Sequence, residues 1–221
     1  MRSLAKTEVV RSAAIAALGS ALVCYPRLTL WSNRSFPIWY VEALLVLGGF
    51  VLWAFVFAWH TQYTNRPVFT FKLGKLPFAL VTLAGILVAL ALHLFVDSAV
   101  RVRMPEDYPT NLEQWIAMTL FYIGFTQLLL VFAPYDWSIR LFRRRWIAIT
   151  LTVMLGLLIV VTKMRSAPTQ ESPSLVVILA VIRAVTALLS LWFYSRYGSI
   201  LVWWFGFLLQ TRHLLDMVSG S

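Results

Sequence analysis

Arg183 stands in VVILAVIRAVTALLSLW, with no other charge for eight residues on either side. A guanidinium keeps its proton in any protein environment. In an apolar run it must meet an acid, a water-filled pocket or a ligand, and it marks a functional site by default. Glu42 and Gln127 are the acceptors at comparable depth in their own apolar runs, while Asp136 and Asp216 lie closer to the run ends. Arg183 is read either as one half of a structural pair or as a contact for substrate, lipid or ligand. Glu42 either reaches the membrane interface or faces the same interior. Thr126 and Gln127 sit side by side in GFTQLLLVFAPYDW. They are polar enough to hydrogen-bond between helices, yet neither can act as a base. Directly after them comes IRLFRRRW, which carries Arg140, Arg143, Arg144 and Arg145.

Histidine is the other candidate. His93 lies near the end of an apolar run, His60 closes another, and His213 sits in QTRHLLD, where Arg212 and Asp216 are one turn apart and can pair. No two of them stand at metal-ligand spacing and no HExxH occurs, so no metal site is expected. His93 is usually a packing residue in such a place; axial ligation of a haem or chlorin is the alternative, and no cofactor is otherwise expected. Cys24 is the only cysteine, which excludes an internal disulfide.

These residues need elements to hold them. The chain has 221 residues, 60% hydrophobic and 13% charged, with a mean hydropathy of +0.78. Soluble domains average about 45–50% apolar and about 25% charged. The apolar runs are long and continuous rather than alternating, which selects helices over a barrel. The expected fold is all-α, a polytopic membrane bundle of about seven spans near 9–25, 37–59, 76–96, 113–133, 146–162, 174–195 and 198–217. The first is short and Ala-rich, and a signal peptide is its alternative reading. Residues 1–112 hold the first three spans and an external loop; 113–221 hold the last four. Ten tryptophans and eight tyrosines suit the two membrane interfaces.

The net charge of +10 would suggest nucleic acid in a soluble protein. Here Lys and Arg sit mostly between apolar runs, so they set topology and meet anionic headgroups, and no nucleic-acid partner is expected. With the N-terminus in the cytoplasm and all seven segments spanning, eleven Lys and Arg face inward and seven outward. A non-spanning first segment gives no such excess without exporting the four-arginine turn. The piece 139–146 is expected on the cytoplasmic surface, with Ile139, Leu141, Phe142 and Trp146 dipping into the interface.

From Gly124-Phe125 onward the chain resembles the CPBP family, the CAAX-protease and bacteriocin-processing intramembrane proteases. The family's paired-Glu motif, often preceded by GF, is followed by a basic turn, a Trp and a new helix; here these are IRLFRRRW and WIAITLTVMLGLLIV. The family's turn before the last helix is similar to YSRYGS, Tyr194–Ser199. The resemblance covers 115–217, nearly half the chain. Its catalytic side chains are not carried over. The Glu pair falls on Thr126 and Gln127, the motif Arg on Val131, the second motif's His near Val160, and the last motif's His and Asn near Phe207 and Thr211.

The resemblance therefore implies a pseudoprotease in a bacterial inner membrane, with a CPBP-like core whose cleft Thr126, Gln127, Arg183 and Glu42 would line. It would act as a structural or binding subunit among other membrane proteins, or hold a lipid or isoprenoid tail. Two alternatives stay open. One is a hydrolase with relocated chemistry, drawn from Glu42, His93, Arg183 and Asp136. The other is a cofactor-carrying subunit of an energy-converting complex.

Overall fold

The structure, a computed structural model, describes residues 6–30, 36–60, 67–71, 73–102, 104–105, 108–165 and 173–219. Among these there is no strand. Seven helical stretches cross back and forth: α1 (Thr7–Thr29), α2 (Ile38–Trp59), α3 (Lys75–Arg101), α4 (Leu112–Phe142), α5 (Arg145–Arg165), α6 (Pro173–Tyr197) and α7 (Ser199–Ser219). One end of the bundle, called the basic end below, gathers the start of α1, His60, residues 67–71 and 73–74, the Arg143-Arg144 turn and Gly198. The other end holds Val102, Met104, residues 108–111 and the start of α6.

Stretches α1 to α6 are long and apolar enough to cross a bilayer, which points to an integral membrane protein. The seventh expected span is helical but too polar to qualify by composition. Its position explains that. Ser199, Leu201, Val202, Phe205, Leu208, Leu209 and His213 of α7 are all buried, so protein rather than lipid surrounds this helix. Backbone and side-chain polar groups at membrane depth are tolerated where protein covers them. The outer helices show the converse, with Trp39, Leu47 and Leu158 exposed.

Close approaches are made by small residues. Along α1, Ala13, Ala17, Ser20, Ala21 and Cys24 face inward, and Gly49 of α2 lies against Ala17. Small residues let backbones approach where lipid offers no hydrophobic drive between helices. The Nε1 of Trp53 donates to Ser20 Oγ at 2.9 Å, so α1 is built into the core. Gly85 of α3 meets α7: a Cβ there would stand 2.7 Å from Leu208 Cδ1.

Several boundaries differ from the sequence reading: α1 runs to Thr29 and α3 to Arg101, and two further differences bear on the site. Helix α4 does not stop at Ala133 but runs to Phe142, through two wide π turns at Tyr122–Thr126 and Leu128–Phe132. Pro134 has no N–H, and its ring would strike a carbonyl one turn back in a regular α-helix. The wide turn just before it accommodates the ring. The expected amphipathic piece at 139–146 is consequently divided between the end of α4, a turn at Arg143 (φ 54°) and the start of α5. Leu141, Phe142 and Trp146 are exposed there, while Ile139 packs on the core. Gly198, at φ +92°, turns α6 into α7, a conformation that favours glycine.

The two halves of the chain share one core. Its buried members run from Ala13, Trp53 and Val81 to Leu128, Phe132, Tyr194, Phe205 and Leu209.

Candidate functional site

At the basic end, α2, α4 and α6 bring together three buried polar side chains. The Tyr194 hydroxyl donates to Asp136 Oδ2 at 2.5 Å. His60 Nε2 lies 3.0 Å from the same hydroxyl. A phenol has one proton. With that proton given to Asp136, the Tyr194 oxygen accepts from Nε2–H, which sets the His60 tautomer. Asp136 is fully buried, and its Oδ1 has no hydrogen-bond partner among the described residues. Phe132 stacks on the Tyr194 ring at 4.7 Å, and Tyr135 meets it edge-on at 6.1 Å. The three polar groups thus form a relay held in place by rings.

Above the relay opens a cavity of about 740 Å³. His60, Tyr135, Tyr194 and Ser195 line it, together with Arg145 and Arg196. Arg145, the first residue of α5, donates from Nη2 to Ser195 Oγ at 3.1 Å and also bonds the Tyr135 hydroxyl. Segment 67–71 closes one side. Val68 O accepts from Ser199 Oγ at 2.7 Å, and Phe69 packs 5.3 Å from Trp203, so the segment is tied to α7. No Asp or Glu is among the lining residues; Asp136 lies beneath Tyr194. A cavity with arginines, hydroxyls and an imidazole is chemically suited to an anion or a polar headgroup.

At the opposite end, Arg212 Nε contacts both oxygens of Asp97, at 3.2 and 3.1 Å. Tyr108 donates to Asp97 Oδ1 at 2.9 Å, with Arg101 over its ring and His213 at its edge. Burial, then the Asp97 charge, pushes the Tyr108 phenol above its usual range, so it remains a donor. Arg212 therefore reaches Asp97 across helices; the Asp216 side chain, its expected partner, lies outside the described residues.

The residues singled out from sequence fall in separate surroundings. Thr126 is half-buried on the first π turn of α4. Gln127 is 2% exposed, its Nε2 lying against Gly206, with its Oε1 unbonded among the described residues. Arg183 lies along Gly156 of α5, its Nε 3.1 Å from where a Cβ would be. Glu42 sits at the opposite end with Tyr25, Pro37, Ile38 and Trp39. His93 begins a π turn and lies near His213. Arg143, Arg144 and Arg145 are exposed and Arg140 is half-buried; of these only Arg145 lines the cavity. Among the described residues no three His, Cys, Asp or Glu side chains cluster to hold a metal ion.

Sequence reasoning placed His60 at the end of an apolar run, as an interfacial residue or an alternative cofactor ligand, and had no place for Tyr194 or Ser195 in a site. The one available signal was Asp136, an acid at the inner edge of an apolar run with no cation within one helical turn before it. No family model matches the chain, and neither a curated protein nor a solved structure matches it.

Proposed function

We propose that this chain is a non-catalytic protein of a bacterial inner membrane, with its N-terminus and basic end in the cytoplasm. It is built on a CPBP-like scaffold and acts by binding, as a structural or ligand-holding subunit among other membrane proteins. The observation that carries this reading is the packing of Gln127. At the place of the family's paired acids stands a buried amide that does not titrate, its Nε2 lying, like the Tyr122 ring, against Gly206. The remaining motif positions are likewise taken by packing. Val131 is 3% exposed, Phe207 stacks on Trp204 at 5.4 Å, and the Thr211 hydroxyl is spent on Leu208 O at 2.7 Å. General acid–base chemistry needs a group that exchanges a proton near the working pH, and none of these does.

The test is an intramembrane proteolysis assay of the purified protein on prenylated and leader peptides, run beside co-purification in mild detergent. The expected outcome is no cleavage and retained partners or ligand. Cleavage above a buffer control would overturn the reading.

A second reading is favoured by the Asp136–Tyr194–His60 relay, a linked set of titratable side chains beside the cavity. It is a hydrolase whose chemistry has moved to the basic end. Under it, the same assay shows turnover that Asp136→Asn and His60→Gln each abolish.

A further inference from the structure

We infer that the basic-end cavity is a binding site for a phosphate-bearing headgroup, with Arg145 as its principal ligand. Four observations converge. First, the cavity's size falls in the roughly 300–1,000 Å³ range of small-molecule sites. Second, among the described residues its wall carries two arginines, Arg145 and Arg196, and no carboxylate, which favours anions. Third, Arg145 is already oriented. Its contacts with Ser195 Oγ and Tyr135 hold the guanidinium at the wall; Tyr135, accepting from Arg145, keeps its own proton for a phosphate oxygen, while Ser195 gives its proton to Trp192 O at 3.2 Å. A guanidinium presents a planar fork that matches phosphate oxygens in pairs. Fourth, Gly74 and Pro77 at the start of α3 close a further side of the cavity without adding a carboxylate.

Phosphate is preferred over a carboxylate ligand because the donors come from several directions. Arg145, Tyr135 and Arg196 line the cavity from α5, α4 and α6. A tetrahedral group uses such an arrangement more fully than a planar one. The bearer is either a lipid of the surrounding membrane or a soluble phosphoester, and the experiment separates them.

The full chain is placed in phosphatidylcholine nanodiscs doped with phosphatidic acid, and the lipid that remains bound on release is read by native mass spectrometry. The wild type is expected to retain phosphatidic acid over phosphatidylcholine. Arg145→Gln should weaken that retention by about tenfold or more, the scale of one charge-assisted hydrogen bond. Tyr135→Phe should give a smaller loss with the fold undisturbed. Arg143→Gln, an exposed neighbour outside the cavity, should have no effect. Displacement of the lipid by inorganic phosphate assigns the site to phosphate itself and admits soluble phosphoesters; retention against it assigns the site to a membrane lipid. Equal loss in Arg143→Gln and Arg145→Gln would mean diffuse surface attraction and would overturn the inference, as would equal retention of the two lipids. Such a site presupposes the binding role proposed above, and the two fail differently. Peptide cleavage by a protein that still selects phosphatidic acid would end the non-catalytic reading and leave this one standing.

Discussion

At the residue scale, the Asp136–Tyr194–His60 relay was not legible in the sequence, and the reason is separation. Asp136 and Tyr194 are 58 residues apart and His60 and Tyr194 are 134 apart. Spacing rules work within one helix, where residues three or four apart share a face, and say nothing about which helices become neighbours. Arg183 shows the same limit from the other side: its type and depth flagged it, but its packing along Gly156 could not be read from the chain. The relay carries a stability prediction. Tyr194→Phe removes the one donor to a fully buried carboxylate and the acceptor beside His60. Leaving a buried polar group unsatisfied costs about 1–3 kcal/mol, more for a charged one. Tyr194→Phe should therefore lower the thermal midpoint in detergent more than Asp136→Asn, which keeps an acceptor in place. An unchanged midpoint in Tyr194→Phe would mean that the hydroxyl contributes nothing to folding.

At the element scale, the helices were legible because lipid allows few alternatives. A continuous apolar run of spanning length must satisfy its backbone within itself. What hydropathy missed is where the regular geometry breaks. Pro134 reads as a stop signal, yet wide turns carry α4 past it to Phe142. Interhelical distance was equally hidden, since a glycine reads alike whether it faces lipid or a neighbour. Two glycines separate these cases. At Gly85 an added methyl would meet Leu208 Cβ at 2.9 Å, on a buried side chain of α7. At Gly48 it meets nothing within 4 Å. Overpacking a close contact costs typically about 1–3 kcal/mol, whereas Gly to Ala in an open helix position gains up to about 1 kcal/mol in propensity. Gly85→Ala should destabilise the protein and Gly48→Ala should leave it unchanged or slightly more stable, as read by the same thermal melts. Equal effects would mean that α3 and α7 are not in close contact.

At the scale of the whole molecule, composition identified the kind of protein and placed a seventh helix at 198–217. Gln210, Arg212 and His213 lower the hydropathy of α7, and Leu201, Val202, Phe205, Leu209 and His213 are buried among the other helices. Hydropathy measures fitness for lipid, and a helix partly shielded from lipid tolerates a lower value. The crossing pattern gathers the start of α1, His60, residues 67–71 and 73–74 and the arginine turn at one end, and the excess of Lys and Arg over the other end favours the cytoplasm for it. This is testable with single cysteines, because the native Cys24 is fully buried and gives no background. Phe71 at the basic end and Val102 at the opposite end are 80% and 84% exposed, and replacing either leaves the charge balance untouched. In intact cells a membrane-impermeant maleimide should label Val102→Cys and spare Phe71→Cys until the membrane is opened. The opposite pattern would invert the proposed orientation and place Arg145 and its cavity outside the cell. Labelling of both in intact cells would contradict the antiparallel crossing itself, since α3 alone separates the two positions by a full span.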